Sequence, residues 1–251
     1  MATQVKRLPA IPNQWGAVNE QNNTPKGGDN GEKHFAAGLN FHKLFWVFLI
    51  GSMIGCLVET IFAFVMRGGY ECRASLMHGP FNLIYGIGAL TLYIGVEILK
   101  RKTKSKKWQV FLFGAVAGTV VEFISSWVQE IAFGAVSWDC SHLPLNIGGR
   151  VCLLFGVFWG LLALAWVIFL QPAFDKLIAK IPNALGKPST WILCGFMIFN
   201  IVVSAAAVSR WLARAEGTLA TTQVQVLLDK FYPDPLMEHN FGEMVQPRQA
   251  A

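Results

Sequence analysis

The sequence is short of charge. Aspartate, glutamate, lysine and arginine make up 14% of its 251 residues, where a soluble domain carries about a quarter. The shortage is uneven: apolar runs of bilayer-spanning length alternate with short polar links. Other features are missing too. No Gly-x-x-x-x-Gly-Lys-Ser/Thr loop occurs, which excludes ATP hydrolysis by a Walker-type site in this chain. Gly27–Lys33 is glycine-rich but wrongly spaced for one. His78, His142 and the carboxylates lack ligand-type spacing, so neither a metal nor a cofactor is expected. Asp139, Ser141 and His142 have the residue types of a catalytic triad, but neighbours in one short link do not readily adopt its geometry. The net charge of +6 comes without a basic-aromatic surface motif, which argues against nucleic acid as a partner. The first forty residues lack the basic start, short apolar core and cleavage site of a signal peptide, so the first apolar run is expected to remain as a helix.

What is present is hydrophobic: 53% of residues are apolar. Five segments, about His42–Met66, Gly79–Leu99, Trp108–Phe133, Val151–Leu170 and Trp191–Val208, each approach the ~20 residues a spanning helix requires. The fourth is expected to stop at Pro172. The expected fold is all-α: a polytopic membrane helix bundle of about five transmembrane helices over residues 41–210. Residues 1–40 read as a disordered polar tail and residues 211–251 as a C-terminal amphipathic segment and tail. Between Ala213 and Asp229, Leu219, Val224, Val226 and Leu227 recur loosely at helical spacing. That pattern fits an amphipathic helix on the outer interface, with a partly ordered tail as the alternative.

Lysine and arginine set the orientation. The run Lys100–Lys107, the tail residues Lys6, Arg7, Lys26 and Lys33, and Lys176, Lys180 and Lys187 all fall on one side, which should be cytoplasmic. A multi-pass plasma-membrane protein with a cytoplasmic N-terminus is expected, with links Arg67–Met77 and Gly134–Arg150 facing outward. Arg210 and Arg214 run against this pattern.

Two segments share a pattern. Gly51-x-x-x-Gly55-x-x-x-Glu59 and Gly114-x-x-x-Gly118-x-x-x-Glu122 each place two glycines and a carboxylate along one helix face. Small residues permit close helix approach. Each segment leads through an outer link into a glycine-punctuated partner, with Gly79, Gly86 and Gly88 in one and Gly148, Gly149, Gly156 and Gly160 in the other. The first four segments are therefore expected to form two parallel helix-pair repeats; a chance match of a common motif is the alternative.

An ionised side chain near the bilayer centre costs about 2.5–3.5 kcal/mol on insertion scales, which makes Glu59 and Glu122 functional candidates. The alternative is a protonated Glu bonded to a neighbouring helix or one with access to water. Near a common axis the two should not both stay ionised without a compensating cation or water. Glu97 and Glu130, near helix ends, rank lower. Trp138, Asp139, Asn146 and Arg150 bring polar groups to the mouth of the bundle. Arg150 is expected to pair with Glu59 or Glu122 or to receive an anionic substrate group, unless it snorkels to headgroups. Trp138 suits an interface anchor. Cys72 and Cys140 fall in the outer links, where an oxidising exterior permits a disulfide; free thiols are the alternative.

Several motifs, in order, resemble the ABC-transporter type IV membrane proteins, the CmpB-like family. Gly55-Cys56-Leu57-Val58-Glu59-Thr60 is similar to the first helix of that family, and His78-Gly79-Pro80-Phe81-Asn82-Leu83-Ile84-Tyr85-Gly86 to its Gly-Pro-Phe/Tyr-Cys-Pro-Ile-Tyr-Gly pattern. Glu122 with Ser126 and Trp127, Trp138-Asp139-Cys140-Ser141, and Asn146-Ile147-Gly148-Gly149-Arg150-Val151-Cys152-Leu153 resemble later stretches. Asn82-Leu83 departs from Cys-Pro, and Cys140 from Tyr. The second departure suggests a paired change adding a Cys72–Cys140 bridge. The resemblance adds Tyr85 to the candidate substrate-binding or coupling residues. It implies a permease-like transport component; from the orientation of the links, its Glu/Arg site is expected to open outward. Expected partners are membrane lipids and either further copies of the chain or separate transporter subunits. A membrane enzyme acting on a lipid or headgroup and a non-catalytic scaffold are the competing readings.

Overall fold

A computed structural model describes residues 34–102, 106–242 and 244. Helix α1 (Phe41–Arg67) begins where Asn40 Oδ1 accepts the Lys43 N–H at 2.9 Å. It stops at Gly68, whose positive φ of 74° lets the chain turn away while its N–H caps Phe64. Then follow α2 (Leu83–Lys102) and α3 (Lys107–Phe133). An antiparallel ribbon of β1 (Asn146–Ile147) and β2 (Val151–Cys152) folds the next link. Helix α4 (Leu153–Ala165) continues through a π-helical turn, Trp166–Leu170, into α5 (Gln171–Ala179). Helices α6 (Asn183–Ala215), α7 (Gln223–Phe231) and α8 (Asp234–Phe241) complete the described chain.

The expected all-α architecture is present. Five helical stretches, Phe41–Met66, Leu83–Lys100, Lys107–Phe133, Leu153–Ala179 and Asn183–Ala215, are long and apolar enough to cross a membrane. Their outward surfaces carry Phe62, Val65, Ile131, Ile192 and Val202, all more than half exposed. Such a belt suits lipid, since every helical backbone group is already paired. The chain is a multi-pass membrane protein.

The close approaches explain the glycines. Gly51 and Gly55 of α1 lie against Ala89 and Tyr85 of α2, while Gly114 and Gly118 of α3 lie against Ala163 and Trp159 of α4. Phe48 in turn fills the space over Gly86, and Phe111 that over Gly160. Neither interface has room for a Cβ at these glycines. Helix α6 joins α1 through the Trp46 indole, which donates to Thr190 Oγ1 at 3.0 Å.

Element limits differ from expectation in four places. The second span begins at Leu83 rather than Gly79, after the Gly79–Asn82 approach. The fourth does not stop at Pro172: the π-helical turn widens the backbone just before it, and Pro172 enters the first turn of α5, where a missing N–H is tolerated. The fifth begins at Asn183, and Pro188 sits inside it; the hydroxyls of Ser189 and Thr190 donate to carbonyls of the preceding turn. The tail expected through Asn40 lies outside the described residues up to Lys33, whereas His34–Asn40 is packed. Phe35 is buried and its N–H donates to Asn183 Oδ1 at 2.8 Å, which ties this segment to α6.

The C-terminal segment folds back along α6. Arg210, 5% exposed, donates to both oxygens of Asp229 at 2.8 and 2.9 Å and to the Thr218 carbonyl at 2.9 Å. Arg214 engages Asp229 and Asp234. The two arginines that ran against the orientation pattern are thus neutralised within the fold. Met237 and Phe241 of α8 pack on Ala207 and Val208 of α6, with Met77 and Phe133 alongside. Tyr232 meets His78 at 3.2 Å.

Candidate functional site

One turn beyond Gly55, Glu59 emerges where α1 and α2 touch. Asn82, buried just before α2, donates from Nδ2 to Glu59 Oε2 at 2.9 Å and to the Arg73 carbonyl at 3.0 Å. Its backbone N–H donates to the Ser52 carbonyl at 3.0 Å, fixing the start of α2 against α1. The Tyr85 hydroxyl lies in hydrogen-bonding reach of Glu59, and Arg73 and Glu122 both act on it electrostatically. Arg73 is itself ion-paired with Glu71. Glu59, Tyr85 and Asn82 therefore form one group beside Arg73, and Tyr85 also lies within electrostatic range of Glu122.

Glu122 stands one turn beyond Gly118, as Glu59 stands beyond Gly55, and its carboxylate meets the Trp159 side chain of α4. Tyr85 and Trp159 thus play matching parts: each lies over a glycine of the facing helix and offers a polar hydrogen to the next carboxylate. An aromatic donor can satisfy a carboxylate in a setting where an unpaired one is costly.

Arg150 does not join this cluster. It pairs with Glu130, donates to Ser126 Oγ at 3.2 Å and lies 5.9 Å from the Phe123 ring centre. The expected pairing with Glu59 or Glu122 fails for a geometric reason: Arg150 precedes α4, level with the last turns of α3, whereas Glu122 lies about 12 Å deeper along that helix at 1.5 Å per residue.

Trp138, Asp139 and Asn146 build the link. The Trp138 indole donates to the Arg150 carbonyl at 2.8 Å, so it is engaged within the protein. Asp139 accepts from the backbone N–H and hydroxyl of Ser141, both at 2.8 Å, and these bonds hold its carboxyl below the usual range. Asn146 donates to the Ser141 and Leu143 carbonyls and accepts from the Gly149 N–H at 3.1 Å. Gly148 and Gly149 take positive φ values of 59° and 68°, which the tight return of the ribbon requires.

Cys72 and Cys140, the expected disulfide partners, are separate thiols here. Each is held against its own hairpin: Cys140 lies in hydrogen-bonding reach of Cys152, and Cys72 within electrostatic range of Cys56. Burial above all pushes the Cys140 thiol up to about 12, with Cys152 and Glu122 adding to the effect. Among the described residues no group of three or more His, Cys, Asp or Glu side chains is arranged to hold a metal ion.

Asn82, Arg73, Ser126 and Glu130 were missed as partners. Asn82 lies inside the Gly79–Gly86 motif, but as a departure from the family pattern. Ser126 stood in another. Arg73 and Glu130 carried no signal beyond charge near a span end.

The bundle and its cluster define a class: multi-pass membrane proteins that carry ionisable side chains within their spans. The chain matches the family described as "Putative ABC-transporter type IV" over residues 46–205, more than half of its length, and it belongs to that family. That stretch runs from Trp46 in α1 to Ala205 in α6 and contains Glu59, Tyr85, Glu122 and Arg150. No curated protein and no solved structure matches the chain.

Proposed function

We propose that the chain is a permease-like transport component of the plasma membrane, with a cytoplasmic N-terminus and a polar site open toward the outer side. Glu59 and Glu122 are its binding or coupling residues, and Tyr85, Asn82 and Arg73 set their surroundings. The observation that carries this reading is the pair of carboxylates at matching places in two glycine-lined helix contacts, each facing an aromatic donor. Ionisable groups inside spans are costly and mark substrate or ion pathways. Carboxylates held inside apolar spans favour a cationic visitor: a metal cation, a proton or an amine.

We also infer that α1–α2 and α3–α4 are two copies of one hairpin, related by an axis along the membrane normal. The matched contacts Gly51–Ala89 with Gly114–Ala163, and Phe48–Gly86 with Phe111–Gly160, support it. These 251 residues contain no Walker loop, so a Walker-type ATP-driven step would draw on residues outside them. A thermal-stability screen of purified protein against inorganic cations and small amines tests the site, because a ligand of the native state raises its apparent stability. A stabilising cation whose effect disappears in Glu59→Gln and Glu122→Gln is expected. Equal stabilisation of parent and both variants would overturn the assignment.

A further inference from the structure

Helix α7 is held by its polar side. Asp229 bonds to Arg210 and Arg214 of α6, and Thr222 and Gln225 cap the helix start reciprocally. At 100° per residue, Val224, Leu227 and Phe231 lie together on the side opposite Asp229. They are 65%, 52% and 63% exposed. The ion pairs therefore turn an apolar face away from the bundle, on a helix with no buried residue of its own.

The level of this face is fixed as well. Arg210 and Arg214 belong to the last turns of α6, the end at which α1 and α3 also finish. The seven-residue connection from Glu216 to Thr222 and the clamp on Asp229 prevent α7 from leaving that level. Its apolar face is thus displayed at the level where the spans end, and Lys230 beside it is exposed. An amphipathic helix with such a face lies in the interface plane, its apolar side between headgroup and acyl chain. We propose that α7 is a lipid-docking helix, clamped to α6 by Asp229 and seated in the bilayer interface through Val224, Leu227 and Phe231. The expected amphipathic segment, Ala213–Asp229, is thereby moved: Ala213–Ala215 belongs to α6 and the interfacial helix is Gln223–Phe231.

Photolabelling tests this on the full chain. The protein is reconstituted in phosphatidylethanolamine–phosphatidylglycerol vesicles containing a phospholipid with a diazirine near the top of its acyl chain. After photolysis, adducts are mapped by peptide mass spectrometry. Adducts on Val224, Leu227 and Phe231, alongside those on the spans, are the expected result. In a Val224→Ser, Leu227→Ser, Phe231→Ser variant the α7 adducts should be lost while span adducts remain. An unlabelled 223–231 peptide beside labelled spans would overturn the proposal. So would a disulfide between two copies of a Leu227→Cys variant formed in the same vesicles, because the occupant would then be protein.

Discussion

Arg210 illustrates what a buried charge at a helix end requires. Three polar contacts surround its guanidinium, and two come from Asp229. That pairing holds the Asp229 carboxyl below the usual aspartate range, with the Arg210 hydrogen bond the largest cause. A depressed folded value means the clamp contributes stability above the ordinary aspartate value of about 3.9 and loses it as pH falls through the lower folded value. Hydrogen exchange of α7 amides should therefore accelerate in strong acid, ahead of the spans; α7 protection unchanged down to complete protonation would contradict this. Asn82 is the second critical residue. Removing its amide by Asn82→Ala deprives Glu59 of a partner and frees the Arg73 carbonyl, at a cost of about 1–3 kcal/mol. A melting temperature equal to that of the parent in detergent would show that these bonds contribute nothing.

At the scale of elements, the helices were legible where hydrophobicity alone decides and illegible where a backbone compensates. Segments one and three were placed nearly to the residue because their apolar runs end in glycine or charge. Pro172 misled because a π-helical turn that accommodates it leaves no mark in composition. Asn183–Thr190 looked like a link because it holds Lys187 and Pro188, yet the helix begins at Asn183 and runs on through Pro188. The carboxylates were visible as costly residues in apolar runs, but their partners were not. Asn82 meets Glu59 across 23 positions and Arg150 meets Glu130 across 20, and such distances carry no periodic signal. The glycine faces were legible, and they support a sharp test. Gly55→Val and Gly118→Val should each cost about 1–3 kcal/mol through overpacking against Tyr85 and Trp159. Gly195→Val, with open space at its Cβ position, should change thermal stability little. Equal tolerance at all three would refute the close-approach account.

For the whole molecule, the orientation rests on basic links grouped on one side. Cysteines introduced at Lys106 and His142, both exposed, probe opposite ends of α3. An impermeant thiol reagent on intact cells should label His142→Cys and spare Lys106→Cys; the reverse pattern would invert the topology and place the Glu59–Glu122 cluster toward the cytoplasm.

The transport reading itself meets its most direct test in right-side-out vesicles from cells lacking the chain, restored with either the parent or the Glu59→Gln, Glu122→Gln double variant at equal membrane levels. Solute and cation accumulation is followed by mass spectrometry. The account predicts at least one cationic solute or inorganic cation whose accumulation depends on the parent and is lost in the double variant. Accumulation supported equally by both proteins, or dependent on neither, would contradict it.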